Sequence, residues 1–201
     1  MPAPAHKERG SSLDKSKPGW YPNPDRRWQQ MKAKNMALCG LFVALFTVCA
    51  WISIPFGPVA ITLQTFALCL CLGLLGGKLG TLTILVYLLL GAVGVPVFSG
   101  FRGGAAVLMG ATGGYVFGFL FTGLLYWLIT CFRKTPAFQL LAMCLGIVLC
   151  YGIGSAWFCL VYLPGTGLDT VLLTCVVPYL LPDAIKVTLA WFLTRRLHRF
   201  V

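Results

Sequence analysis

Between residues 36 and 197 the chain is a succession of apolar runs, and one stretch among them cannot be a membrane-spanning helix. That stretch is Gly91–Gly118, GAVGVPVFSGFRGGAAVLMGATGGYVFG. It holds nine of the chain's 23 glycines, one proline and one cation, Arg102. Hydrocarbon satisfies no backbone N–H or C=O group, so a Gly-rich, Pro-broken segment must meet water, protein or a ligand. Glycine also permits close backbone approach and positive φ. These residues predict a compact loop folded back over a small-molecule pocket inside a helical membrane protein.

The apolar runs around it fall at about 36–54, 61–77, 79–93, 113–132, 138–163 and 168–197, the last interrupted by Pro178 and Pro182. The chain is 58% hydrophobic and 10% charged, where a soluble domain carries about 25% charged residues. The expected fold is therefore an all-α polytopic membrane protein with six transmembrane helices and a Gly-rich lid loop between helices 3 and 4. The second and third runs are short for a ~30 Å hydrocarbon core and call for tilt or local thinning. With six spans, the basic N-terminal arm, Lys78, Arg133–Lys134 and the Arg195, Arg196, Arg199 cluster fall on one side. Positive charge marks the cytosolic face, which predicts a protein of the cytoplasmic membrane with both termini in the cytosol.

The net charge of +11 does not point to nucleic acid, because eight of the 16 Lys and Arg precede residue 35 and three more cluster at the C-terminal end. Such flanking cations set membrane topology. Residues 1–35 read as a polar, disordered cytosolic arm, in which Trp20, Tyr21 and Trp28 interleave with cations that can rest on an anionic bilayer. Residues 36–197 form the membrane domain, and 198–201 a short basic end. All nine cysteines lie in or at the ends of apolar runs, where a free thiol behaves as a small hydrophobe. Cys69-x-Cys71 has no nearby His or second Cys pair, so no metal site is expected.

Catalytic groups are scarce. His6 and His198 sit in the tails, and Gly76-Gly77-Lys78 has Leu72 and Leu79 where a phosphate loop needs Gly and Ser or Thr. Beyond residue 35 the only acids are Asp169 and Asp183. Asp183 follows Pro182, which suits the first turn of a helix, where an acid also meets the favourable end of the dipole. Asp183 and Lys186 are three apart and share one helix face. They either brace that helix start as an ion pair or form a ligand handle, since ionisable groups at membrane depth face a cavity or a partner. In the first run, Gly40 and Ala44 with Ala37 put small residues on one face, for packing within the bundle or against another protein.

Four segments resemble one family: Ile54-Pro-Phe-Gly-Pro-Val-Ala-Ile-Thr-Leu-Gln-Thr-Phe66, Tyr87-Leu-Leu-Leu-Gly-Ala-Val-Gly-Val-Pro-Val-Phe-Ser-Gly100, Ala111-Thr-Gly-Gly-Tyr-Val-Phe-Gly-Phe119 and Pro182-Asp-Ala-Ile-Lys186. In register and in order over about 36–197, they are similar to the BioY family, the biotin-binding S components of energy-coupling factor (ECF) transporters. Two departures fall near the expected site, Ala60 and Ala111, where the family usually has Pro.

The resemblance implies a six-helix, non-enzymatic subunit for high-affinity biotin uptake. Biotin would be a ligand, with no cofactor. The implied partners are the lipid bilayer, a transmembrane coupling subunit and two ATPase subunits. Its Asp-x-x-Lys contact to biotin maps onto Asp183 and Lys186. Arg102 and Tyr115 are candidates for the valerate carboxylate, with a solvated loop cation and an interfacial aromatic as their plainer roles. Gln64 and Thr62 either line the pocket or cap the second helix, with capping preferred. The Gly40-x-x-x-Ala44 face matches the family's docking seam, with Gly in place of the first Ala. An S component for another vitamin, and an intramembrane enzyme using a Cys or Asp183, are the competing functions.

Overall fold

In the computed structural model the described residues are 24–55, 57–133 and 135–197. The side chains of 24–28 are outside that set, as are most of the N-terminal arm, Lys134 and the basic end 198–201. The chain divides into two units, Met1–Lys34 and Asn35–Val201. Helix α1 (Pro24–Trp51) opens in the first unit. The expected structureless arm to residue 35 is corrected here: residues 24–35 are helical. Pro24 is pre-set for a first helical turn, and Gln29, Gln30, Met31, Lys32, Ala33 and Lys34 are strong helix formers.

Within the second unit a short hairpin follows, β1 (Ser53–Ile54) paired antiparallel with β2 (Ile61–Thr62) in the register Ser53↔Thr62 and Ile54↔Ile61. Helix α2 (Gln64–Val93) covers both the second and third apolar runs, with non-helical angles at Gly76 (φ 76°, ψ 173°). The chain reverses there. A continuous helix would hold residues 64 and 87 about 34 Å apart at 1.5 Å per residue. Instead the Gln64 amide reaches the Tyr87 hydroxyl at 2.7 Å. A Cβ added to Gly80 would lie 3.2 Å from Leu72 Cα. Positive φ at Gly76 lets two antiparallel limbs, 64–75 and 77–93, pack side by side.

The single turn α3 (Ala105–Leu108) interrupts the next connection. Helices α4 (Gly113–Phe132) and α5 (Pro136–Trp157) then pack against each other more extensively than any other two elements among the described residues. Small residues make that approach possible: a Cβ on Gly118 would come within 2.7 Å of Cys150 Sγ and 3.0 Å of its Cα. Gly146 meets Thr122 and Gly154 meets the Tyr115 ring in the same seam. Helix α5 passes into a π-helical turn, Phe158–Tyr162. Helices α6 (Leu168–Cys175) and α7 (Val177–Leu197) meet at a 44° bend.

Among the described residues, four helices are long and apolar enough to cross a membrane, or five if the α6–α7 pair is one broken span. Phe46, Leu68, Leu72, Ile84 and Met143 fill the interior, while Leu82, Leu128, Val148 and Leu181 point outward. An apolar exterior suits a protein surrounded by lipid. Helical threonines agree with such surroundings: Thr81, Thr83, Thr122, Thr130 and Thr194 each donate to the carbonyl four residues back.

Candidate ligand-binding site

All five expected ligand contacts, Asp183, Lys186, Arg102, Tyr115 and Gln64, line one cavity at the end of the bundle that carries the β-hairpin and the Gly-rich connection. It encloses about 780 Å³ of non-atom space, part of it open to solvent. Its walls combine Phe98, Val107, Phe119 and Ile147 with a few polar groups.

The charged corner is buried. Lys186 Nζ donates to Asp183 Oδ1 at 2.8 Å, and the Tyr151 hydroxyl donates to Asp183 Oδ2 at 2.6 Å. Asp183 is 7% exposed and Lys186 9%. Helix α7 starts at Val177, five residues before Pro182, so Pro182 lies inside the helix. The expected placement of Asp183 in the first turn, with help from the dipole, is thereby corrected. Partners hold the carboxylate, and helix polarity does not.

Gln64 serves the cavity and the fold together. Its Oε1 accepts from the Thr62 hydroxyl at 3.1 Å and its Nε2 donates to Tyr87, whose own proton goes to Val97 O at 2.9 Å. Capping is not its role. The residue flanking α2 is Leu63, with no side-chain cap bond, although Thr62 Oγ1 accepts from the Gln64 amide at 3.3 Å. Tyr115 is buried, and its hydroxyl lies near Ser155 without hydrogen-bond geometry to any described group. An orphaned buried hydroxyl is a site where a ligand atom can be recognised. Arg102 is exposed at the rim, donating from Nε to Ser99 O at 3.2 Å.

The Gly-rich connection is tied down more firmly than its composition predicts. Trp51 Nε1 donates to Pro96 O at 2.9 Å, and the Gly104 amide donates to Gly91 O at 2.7 Å. Phe98 is 1% exposed, and its ring occupies the space a side chain on Gly91 would need. Trp51 stacks on Phe101 with centroids 4.6 Å apart; Phe101 (φ 57°) is the only non-glycine with positive φ among the described residues. On α1, Ala37, Gly40 and Ala44 are all exposed, and nothing lies within 4 Å of a Cβ built on Gly40.

The sequence profile of the BioY family matches residues 24–201. The chain belongs to the BioY family. Among its relatives, the biotin transporter BioY of Thermotoga maritima is 45% identical over 121 residues, 60% of this chain and 72% of that protein. The probable biotin transporter BioY of Pyrococcus horikoshii is 39% identical over 167 residues, 83% of this chain and 98% of that one. The fold is similar to the crystal structure of the S-component for biotin from an ECF-type ABC transporter. That match has a TM-score of 0.77 at 29% identity, over 86% of this chain and 94% of the other. These relatives are transporters, and the apolar helices make this BioY-family chain a multi-pass membrane protein.

Two cavity tyrosines escaped the sequence reading. Tyr151 stands in the middle of the fifth apolar run, away from the interfacial belt where tyrosine is common. That position was the available signal. Tyr179, whose hydroxyl donates to Val59 O, offered none.

Proposed function

We propose that the chain captures biotin for uptake across the cytoplasmic membrane, as the substrate-binding subunit of an ECF-type transporter. The carrying observation is the buried Lys186–Asp183 pair facing a cavity in a chain of the BioY family. Biotin's ureido ring offers N–H donors and a carbonyl, which an acid and an ammonium can read together. Arg102 at the rim is suited to the valerate carboxylate, and the orphaned Tyr115 hydroxyl to a further polar contact. Ring inward and carboxylate outward is the orientation these positions favour.

Six membrane helices are the reading that the reversal at Gly76 supports, with the limbs 64–75 and 77–93 as the second and third and α6–α7 as the sixth. Both basic ends then share the cytosolic side, and the cavity opens on the outer one. The connection 94–112 acts as its lid. The exposed face of Ala37, Gly40 and Ala44 receives the coupling subunit, which links the chain to two ATPases. No catalytic step and no cofactor belong to this reading.

The test is retention of labelled biotin by the full chain purified in detergent. Retention is expected, with strong weakening in Asp183→Asn and Lys186→Ala. Displacement by another vitamin, with unlabelled biotin ineffective, would replace biotin as the ligand. Unchanged affinity in both variants would remove the assigned handle.

A further inference from the structure

Lys78 takes no part in the ligand cavity, and its surroundings form a site of their own. The reversal at Gly76 starts the second limb of α2 with Gly77 and Lys78. A Cβ on Gly77 would come within 2.5 Å of Trp127 Cα, so that limb packs closely on α4. Lys78 and Trp127 line one groove on the outer surface of the bundle, with Asn35 beside them. The same two residues border an adjoining hollow with Thr130 and Gln139. Neither the Lys78 ammonium nor the Trp127 indole N–H has a hydrogen bond or ion pair among the described residues. The side-chain amides of Asn35 and Gln139 add further donors. No acid lines either hollow: Asp183 is paired with Lys186 in the ligand cavity, and Asp169 sits in the first turn of α6. An unpaired cation among donors is the complement of an anion.

Past Lys78 the surface turns apolar. Leu82, Leu85 and Leu89 follow at steps of four, three and four, which places them on one helical stripe, and all three are exposed. From residue 78 to residue 89 a helix rises about 16 Å, close to half of a ~30 Å hydrocarbon core. A soluble anion gains nothing from such a stripe, whereas an acyl chain is matched by it in length and in polarity. We propose that this groove binds one anionic phospholipid, with its phosphate at Lys78 and Trp127 and a chain along Leu82, Leu85 and Leu89. Assigning that lipid to the cytosolic leaflet rests on the membrane orientation proposed above; the site itself does not. Phosphatidylcholine carries a phosphate too, but its choline cancels the charge that Lys78 meets. One lysine near a bilayer surface is worth a preference of about fivefold for the anionic lipid.

The experiment gives the full chain in nonionic detergent equal amounts of phosphatidylglycerol and phosphatidylcholine with the same chains, and reads the retained lipid by native mass spectrometry. Phosphatidylglycerol should be favoured by about fivefold or more in the unmutated chain. In Lys78→Gln the ratio should fall towards one, while Arg196→Gln, which removes an equal charge elsewhere, should keep the preference. A ratio near one in the unmutated chain, a preference that survives Lys78→Gln, or an equal loss in Arg196→Gln overturns the site. Displacement of the lipid by glycerol 3-phosphate would make it a site for a soluble anion and refute the lipid. Loss of a coupling subunit in Lys78→Gln at an unchanged lipid ratio would make the groove a protein-docking face, which also refutes it. If Lys78→Gln does not fold, Leu82→Trp decides, because it fills the stripe from an exposed position. Retention of phosphatidylglycerol should drop in that variant, and full retention refutes the groove. Labelled biotin is measured in the same samples and should be retained by Lys78→Gln as by the unmutated chain. Biotin loss in the unmutated chain with the lipid preference intact brings down the proposed function alone, and the converse brings down the lipid site alone.

Discussion

The Gln64 side-chain amide donates to the Tyr87 hydroxyl at 2.7 Å across 23 residues of sequence. That bond closes the hairpin made by the reversal at Gly76. Because Tyr87 passes its proton to Val97 O, the hairpin also holds the first part of the Gly-rich connection. One buried tyrosine joins a cavity wall, a helix pair and a loop.

Tyr87→Phe should therefore lower stability by about 1–3 kcal/mol, since it strands the Gln64 amide and the Val97 carbonyl away from water. Thermal unfolding in detergent reads the loss. Amide exchange should rise at Val97 and Phe98, and unchanged protection there would separate the loop from this network.

The Asp183–Lys186 pair permits a division between bracing and binding. Lys186→Met alone should cost about 3–5 kcal/mol of stability by leaving a buried carboxylate unpaired. Asp183→Leu combined with Lys186→Met should recover most of it and yet fail to retain biotin. Tight biotin binding by the double variant would reduce the pair to a brace.

Arg102 at the rim predicts an effect that depends on the ligand's charge. Arg102→Gln should weaken biotin by roughly tenfold, the size of one charge-assisted hydrogen bond. Biotin amide, which lacks the carboxylate charge, should bind both proteins alike. Equal losses for the two ligands would assign Arg102 to the loop itself.

The α4–α5 seam has no room for a side chain at Gly118. Gly118→Val should cost about 1–3 kcal/mol through overpacking against Cys150, read by thermal unfolding. Gly40→Leu on the open face of α1 should leave stability and biotin retention intact while abolishing co-purification with a coupling subunit. Undiminished co-purification would move the docking surface elsewhere.

Much of the site was legible because charge is costly in an apolar chain. Asp183 and Lys186 stood out for that reason, and Arg102 as the one cation of the Gly-rich stretch. The turn at Gly76–Lys78 was legible from two adjacent glycines between apolar runs. The beginning of α7 was not. Pro182 fits a first turn, but here the helix has already begun at Val177, with Pro182 inside it. Tyr151 was missed because its one signal, a tyrosine in the middle of an apolar run, names no partner until a carboxylate on another helix lies opposite. The start of α1 at Pro24 was missed because polar composition was read as lack of structure, although helix propensity there is high.

Phe98 sits in the gap left by Gly91, and its neighbours Pro96 and Val97 are each held by a side chain from another helix. The Gly-rich connection therefore has a fixed post and a short free span instead of uniform slack. If this connection is the lid proposed above, its hinge lies in the few residues from Ser99 to Gly104, where Gly100, Phe101 and Gly104 carry positive φ. As the proposed lid, this span would turn as a small flap on a rigid jamb, with the Trp51–Phe101 stack as the contact it must release.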